Sequence, residues 1–152
     1  MSEPRIVRFS AEQLDGAAEI ERECFSEPWS KEAMKLLCSD EYPSLALISG
    51  SGEVLGYIGS AKVLDELQII NVAVAEKHRK KGYGNLILEG FEELCERLAI
   101  AYISLEVRES NEAAISLYKK FGFEITGRRK RFYKAPVEDA LVMIKNRSLS
   151  VD

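Results

Sequence analysis

A run of cations followed by two glycines is the part of the sequence that points most directly to chemistry. In "HRKKGYGNL" (78–86), three cations precede Gly82 and Gly84. The first turn of a helix has free backbone N–H groups and partial positive charge, and glycine lets an anion approach the backbone without meeting a Cβ atom. If a helix begins at these glycines, the loop predicts a phosphate-binding site. The alternative is a solvated basic turn.

Two familiar phosphate loops do not fit this stretch. The dinucleotide-binding fingerprint requires a third glycine, but the sequence continues with Ile87. The Walker loop ends in Gly-Lys-Ser/Thr, a triplet that is absent from the sequence. The type of phosphate ligand therefore has to be inferred from other segments.

Glu106 is a second residue that could do chemistry. It lies late in "AYISLEV" (101–107), a segment that is otherwise mostly apolar. A carboxylate withdrawn from water binds a proton more readily, which would suit a general base. An ordinary outward-facing residue of an alternating strand would explain the pattern equally well.

The elements that must position these residues follow from apolar periodicity and from helix-capping residues. The segment 67–74 is apolar on both faces and is therefore expected at the centre of a sheet. The pattern predicts a mixed α/β sheet with helices on its faces. Strands are expected at 5–9, 44–49, 54–63, 67–74, 101–107, 123–133 and 139–145, and helices at about 10–25, 30–37, 83–98 and 111–121.

Length and composition indicate an ordinary globular protein. The chain has 152 residues, of which 46% are hydrophobic and 30% charged, and one domain over 1–152 is expected. No apolar run is long enough to span a membrane, and the first residues lack the apolar core of a signal peptide. We therefore expect a cytoplasmic protein without membrane contacts.

The charged and metal-ligating residues limit the ligand classes. A net charge of -4 argues against direct nucleic-acid binding, which usually requires a basic surplus. The single histidine and three widely spaced cysteines do not have the spacing of a metal site, so no metal is expected. The cysteines are expected to be reduced and to pack as small hydrophobic residues.

Two longer motifs resemble one enzyme family. Arg79, Gly82 and Gly84 fit the pattern Arg/Gln-x-x-Gly-x-Gly/Ala, and their position after "NVAV" resembles the coenzyme A loop of the Gcn5-related N-acetyltransferases (GNAT). "LEVRESNEAAISLYKKFGF" (105–123) resembles the second signature of that superfamily. "CFSEPWS" and "EDALVM" are similar to its bacterial RimI-type branch, the ribosomal-protein alanine N-acetyltransferases.

This resemblance implies a fold, a cosubstrate and a set of site residues. The implied fold is a single, mostly antiparallel sheet of about seven strands flanked by about four helices, with acetyl-CoA between strands 67–74 and 101–107. Glu106 matches the general base and Tyr118 the general acid. The positions that match acetyl-CoA contacts are Val72, Ala73 and Val74 for pantetheine, Arg79, Lys80, Lys81, Gly82, Tyr83, Gly84 and Asn85 for pyrophosphate, and Asn111.

Local explanations remain open for several of these residues. Tyr118 would also be suited to packing a helix on the sheet, and Asn111 to capping that helix. Trp29 and Tyr133 are candidates for lining an acceptor groove, with core or rim packing as the alternative. "RRKR" (128–131) is interpreted mainly as a solvated strand face, with a partner-binding surface as the alternative.

The sequence departs from relatives in two places. Ala75-Glu76 stands where relatives commonly have a proline, which should make that turn less stiff. The segment "FYKAPVEDA" (132–140) lacks the Tyr-Tyr-Pro motif that is usual in relatives, and it is shorter before "EDA". Because this segment is expected to contact the peptide, the acceptor specificity remains open.

The resemblance implies acetylation of the N-terminal alanine of a small-subunit ribosomal protein. Other acceptors would be a small-molecule amine or a different protein N-terminus. A non-enzymatic alternative is a coenzyme A sensor or RNA-associated module that uses the cations of 78–81 and 128–131.

Overall fold

A computed structural model describes residues 3–147. The ends of the predicted domain, residues 1–2 and 148–152, lie outside the described residues. The strands are β1 (Arg5–Arg8), β2 (Leu45–Ile48), β3 (Val54–Val63), β4 (Glu66–Val74), β5 (Tyr102–Arg108), β6 (Glu124–Lys134) and β7 (Val137–Asn146). They form one seven-stranded sheet in the order β1-β2-β3-β4-β5-β7-β6. Neighbouring strands are antiparallel except for the parallel pair β4–β5, which confirms the expected mixed, mostly antiparallel sheet.

Residues 3–147 also contain four α-helices, which begin close to the predicted capping residues. Ser30 Oγ accepts a hydrogen bond from Ala33 N at 3.1 Å, and Asn111 Oδ1 accepts one from Ala114 N at 3.2 Å. None of the helices in this range is long and apolar enough to cross a membrane. The helices are α1 (Ala11–Cys24), α2 (Lys31–Met34), α3 (Tyr83–Arg97) and α4 (Glu112–Lys120), with 3₁₀ turns at Lys35–Cys38 and Glu76–His78.

The helices cover both faces of the sheet and form two apolar clusters. On one face, α3 buries Ile87 and Phe91 against Ile103 of β5. On the other face, α1 buries Ala17 and α2 buries Met34 in a second cluster. Burial of apolar side chains on both faces is the main stabilising term of such a three-layer arrangement.

An irregularity in β4 changes which face each of its side chains occupies. Gly59 of β3 pairs with Asn71 and Ser60 pairs with Ile69, so Ile70 is an extra residue on β4. Before the bulge Leu67 and Ile69 belong to the α3 cluster, and after it Val72 and Val74 pack against the same cluster, so the alternation shifts by one residue. The central position of this strand was predicted correctly from the sequence. The bulge was not, because a strand that is apolar on both faces shows no break in its pattern when the alternation shifts.

Strands β4 and β5 part soon after they begin. Their parallel pairing comprises Glu66 with Tyr102, Leu67 with Ile103 and Gln68 with Ser104. Strand β5 remains paired with β7 on its other side as far as Arg108. Beyond Gln68 a notch therefore opens between the two central strands, where the resemblance implies acetyl-CoA.

We predict that Gly56→Ala destabilises the protein, because β3 approaches β4 closely at this position beside the notch. A Cβ atom on Gly56 would lie 2.7 Å from the backbone oxygen of Ala73 and 2.9 Å from Ile87 Cδ1. Because a backbone atom cannot rotate away, we expect the free energy of unfolding to fall by about 1–3 kcal/mol in urea denaturation.

Gly127→Ala on β6 is the matched control, since a Cβ atom there would contact Val142 Cβ at 4.0 Å. Its effect should stay within about 0.5 kcal/mol. Equal losses for the two variants would contradict the steric explanation.

Candidate active site

The notch between β4 and β5 continues into a cavity of about 830 Å³. Residues from β4, β5, α4, β6 and the segment after α1 line it. Six of the residues singled out from the sequence meet there, although they are distant along the chain. They are Trp29, Val72, Glu106, Asn111, Tyr118 and Tyr133.

Glu106 is positioned by the pairing of β5 with β7, where it lies opposite Val142. Its side chain is 17% exposed and lines the cavity. Arg129 Nε lies 2.6 Å from Glu106 Oε2, so the carboxylate already has a cationic partner. This pair could not be predicted from the sequence, because Arg129 lies in "RRKR" on β6, 23 residues away along the chain.

The "RRKR" segment is exposed, as expected of a solvated strand face, but two of its arginines form ion pairs. Besides the pair of Arg129 with Glu106, Arg128 Nη1 lies 2.5 Å from Glu109 Oε2 and 3.0 Å from Asp139 Oδ2. The charge of the segment is therefore partly neutralised by the protein itself.

Tyr118 packs in the core and lines the cavity as well. It is 7% exposed, and its ring centroid lies 5.7 Å from that of Phe123. Burial raises the pKa of Tyr118, and the neighbouring Tyr133 acts in the same direction. The phenol therefore keeps its proton at neutral pH and can act as a donor in the cavity.

The basic loop connects the end of β4 to α3. It passes through the 3₁₀ turn Glu76–His78 and reaches Gly82 at the N-cap of α3, where φ is 78°. Most residues avoid this left-handed conformation, which glycine adopts at no steric cost. Within the described residues, Lys80 and Lys81 are exposed and form no ion pair.

Other residues of the loop have structural roles that the sequence did not reveal. Arg79 Nε donates to the backbone oxygen of Val74 at 3.3 Å, and Arg79 Nη2 donates to Cys24 Sγ at 3.1 Å. Asn85 Oδ1 accepts a hydrogen bond from Lys120 Nζ at 2.9 Å. Arg79 therefore braces the loop against β4 and α1, while Asn85 joins α3 to α4.

Gly84 also has a packing role. A Cβ atom at this position would lie 3.1 Å from Leu117 Cδ2 on α4. The second glycine of the loop thus permits the close approach of α4 to α3. This is compatible with the phosphate-binding role that the pattern suggests, because both need a position without a side chain.

The turn after β4 compensates for its missing proline with hydrogen bonds. The backbone N–H of Glu76 donates to Glu23 Oε2 at 2.7 Å, and the N–H of buried Ala75 donates to the backbone oxygen of Leu55 at 2.9 Å. A proline at position 76 has no N–H and could not make the first bond. This bond explains why position 76 is not a proline, although the backbone N–H of any other residue could tie the turn to α1 in the same way.

The segment after α1 and the β6–β7 hairpin both line the cavity, and hydrogen bonds join them to each other. Glu27 Oε1 accepts hydrogen bonds from the backbone N–H groups of Lys134 at 2.8 Å and Ala135 at 2.9 Å. Arg108 donates to Ser26 Oγ at 3.2 Å and lies over the ring of Tyr133, 4.3 Å from its centroid. The segment after α1 and the β6–β7 hairpin therefore form one connected wall.

Glu21 was also missed, although the sequence contains a signal for it. It lies on the face of α1 that carries Leu14, Ala17 and Ala18, at the helical spacing where another apolar residue is expected. It is 1% exposed and accepts hydrogen bonds from Trp29 N and from Asn71 Nδ2, each at 2.9 Å. No comparable sequence signal marked Arg108 and Arg129 as residues of the site, because their partners come close only when distant strands pair.

Comparisons with known proteins agree with this architecture. An Escherichia coli [ribosomal protein bS18]-alanine N-acetyltransferase is 32% identical over 132 residues, which cover 86% of this chain and 88% of the relative. A Bacillus subtilis protein, provisionally named for the same activity, is 38% identical over 133 residues, 87% of this chain and 88% of the relative.

Solved structures share the fold over almost the whole chain. The crystal structure of the Escherichia coli ribosomal-protein-S18-alanine N-acetyltransferase has a TM-score of 0.87 and 30% identity, covering 94% of this chain and 93% of that one. Arabidopsis thaliana NAA60 in complex with acetyl-CoA has a TM-score of 0.84 at 18% identity, covering 94% and 99%, which supports the fold alone.

Residues 14–123 match the family model described as "Acetyltransferase (GNAT) family". This range includes β4, the basic loop, Glu106 and Tyr118, but not β6, whose Phe132 and Tyr133 also line the cavity. The chain belongs to the GNAT family and is an N-acetyltransferase.

Proposed function

We propose that this enzyme transfers the acetyl group of acetyl-CoA directly to the N-terminal α-amine of a protein, the N-terminal alanine of a small-subunit ribosomal protein being the preferred acceptor. The observation that carries the proposal is the cavity at the β4–β5 notch, which Glu106 and Tyr118 both line. The names of the Escherichia coli and Bacillus subtilis relatives support the choice of acceptor. Such an acceptor would be met in the cytoplasm.

Acetyl-CoA would enter along the edge of β4 that β5 leaves unpaired. Backbone groups of Val72, Ala73 and Val74 would pair with the pantetheine amides, and Asn111 would contact the coenzyme from the start of α4. Backbone N–H groups at the start of α3 would hold the pyrophosphate.

The residues of the basic loop would contribute to phosphate binding in different ways. Lys80 and Lys81, which are exposed and free of ion pairs within the described residues, would contribute charge. Arg79 and Asn85 are engaged with other protein groups, so they would act mainly through the loop conformation and their backbone groups. Gly82, Tyr83 and Gly84 would offer backbone close to the phosphates.

The reaction needs two proton movements. The amine nitrogen attacks the thioester carbonyl, the C–S bond breaks, and an amide and a thiol result. Glu106, directly or through a water, would accept the proton that the attacking amine loses. An α-amine has a pKa of about 8, against about 10.4 for lysine, so deprotonation is easier for a protein N-terminus.

Tyr118 would supply the second proton. Burial raises the pKa of Tyr118, so the phenol is protonated when the thiolate departs. A thiol has a pKa of about 8.5, so the transfer from a phenol is uphill and depends on close contact in the cavity. An N–H of the β4 edge would stabilise the developing oxyanion.

On the acceptor side, Trp29 and Tyr133 would contact the first residues of the peptide from the connected wall. The pair of Glu106 with Arg129 adds a condition, because an incoming ammonium group competes with the guanidinium for the same carboxylate. The acceptor would therefore have to bring its charged end directly to Glu106.

A small-molecule amine or a different protein N-terminus would use the same cosubstrate site, so an acceptor panel decides between them. Peptides beginning with Ala, Ser, Met and Lys, a polyamine and an aminoglycoside are incubated with acetyl-CoA, and the products are identified by mass. We expect the Ala peptide to have the highest kcat/KM and an Nα-blocked Ala peptide to remain unmodified. Faster transfer to the polyamine or the aminoglycoside, or no α-amine acetylation, would refute the proposal.

If Glu106 and Tyr118 have the proposed roles, replacing either should lower kcat without weakening the binding of acetyl-CoA. Glu106→Gln should lower kcat by roughly 10²–10⁴-fold, because the amide cannot accept the proton. Tyr118→Phe, which keeps the buried ring, should slow release of the thiol. Calorimetry should show that the Kd for acetyl-CoA in each variant stays close to that of the unaltered protein.

Glu109→Gln is the matched control for these variants, since Glu109 pairs with Arg128 next to the site. It should keep the turnover of the unaltered enzyme. Unchanged kcat in both Glu106→Gln and Tyr118→Phe would overturn the assignment.

A further inference from the structure

Glu21 is a buried charge that the proposed chemistry does not use. Among the charged residues of the described range 3–147, it alone is classed as buried, with 1% of its surface exposed. Placing an ionised carboxylate in an apolar environment is costly unless hydrogen bonds replace its water. The face of α1 on which it lies could instead carry an apolar residue. The groups that hydrogen-bond to this carboxylate therefore indicate why a charged residue occupies the position.

Three groups of the described residues donate hydrogen bonds to the carboxylate. Tyr57 OH donates to Oε1, and Trp29 N donates to Oε2 at 2.9 Å. Asn71 Nδ2 lies 3.0 Å from Oε1 and 2.9 Å from Oε2. Burial raises the pKa of Glu21, while the hydrogen bonds from Tyr57, Trp29 and Asn71 oppose that rise. A neutral amide in this place would direct its NH₂ group at another donor.

These donors belong to different parts of the site. Asn71 lies on β4 next to the bulged Ile70, on the side of the cavity where acetyl-CoA is proposed to bind. Trp29 lies in the irregular segment between α1 and α2, on the connected wall of the acceptor side. The side chain of Trp29 packs against the α1 cluster, and Ser26 and Glu27 tie the preceding residues to the connected wall. The backbone of Trp29 itself is held by the bond from its N–H to Glu21 Oε2.

We propose that Glu21 is a positioning residue for the acceptor, whose carboxylate fixes the backbone of Trp29 relative to β4. The inference rests on the proposed function in that the acceptor amine passes Trp29 on its way to Glu106. Loss of the carboxylate should loosen the acceptor wall and leave the coenzyme site, which is built from β4 backbone and the start of α3, in place.

Trp29 gives a direct readout, because it is the single tryptophan of the chain. In Glu21→Gln we expect a red-shifted Trp29 emission and a higher acrylamide quenching constant, since the indole becomes more accessible to water. The KM for the Ala peptide should rise about tenfold, the effect of losing one well-formed hydrogen bond at the wall. The Kd for acetyl-CoA should remain within about twofold of the unaltered value, so that the change falls on acceptor binding.

Two variants serve as controls. Glu19→Gln replaces an exposed carboxylate on the same helix and should change neither fluorescence nor KM. Tyr57→Phe removes one donor but leaves the bonds from Trp29 and Asn71, so it should lower Tm with little effect on the acceptor KM. If Tyr57→Phe raises the acceptor KM as much as Glu21→Gln, Glu21 is merely structural. Unaltered fluorescence and KM in Glu21→Gln would also overturn the inference.

Hydrogen exchange of the unaltered protein tests the same point without relying on a variant that folds. The Trp29 amide should exchange much more slowly than the amides of exposed Ser26 and Glu27 in the same segment. Equal exchange rates would refute the anchoring role. If the unaltered enzyme acetylates no peptide, the proposed function fails and the acceptor role fails with it. Normal peptide turnover with unaltered KM in Glu21→Gln counts against the inference alone.

Discussion

The early parting of β4 from β5 is the constraint on which the rest of the site depends. Parallel pairing ends at Gln68 and Ser104, and each strand continues with a partner on its other side only. A strand edge inside a sheet is normally satisfied by its neighbour, so an open edge at this place requires a ligand or water. The cavity, the basic loop and both candidate catalytic residues are arranged around this opening.

The bulge at Ile70 changes which side chains of β4 face each side of the sheet along the opening. Ile69 and Val72 both face the α3 cluster, while Asn71 between them hydrogen-bonds to the carboxylate of Glu21 on α1. The face toward α3 and α4 leads to the glycines of the basic loop. The face toward α1 leads to Trp29. One extra residue in a central strand therefore decides which side chains of β4 face each apolar cluster.

The charged side chains that line the cavity have partners within the described part of the protein, whereas two cations of the basic loop do not. Arg129 neutralises Glu106, and Arg108 joins the β6–β7 hairpin to the segment after α1. Lys80 and Lys81 have no such partner among the described residues. Two such exposed cations next to the glycines fit a ligand that carries several negative charges, as the proposed coenzyme does.

The order of the elements, the central strand and the helix caps at Ser30 and Asn111 could be predicted from the sequence, because periodicity and capping are local properties. Six residues that meet in the cavity were predicted as well. The notch, the bulge and the partners of Glu21 and Glu106 became visible only in the folded chain. Those features depend on strand register and on contacts between distant positions, such as Asn71 and Glu21, which are 50 residues apart. No short pattern encodes such a contact.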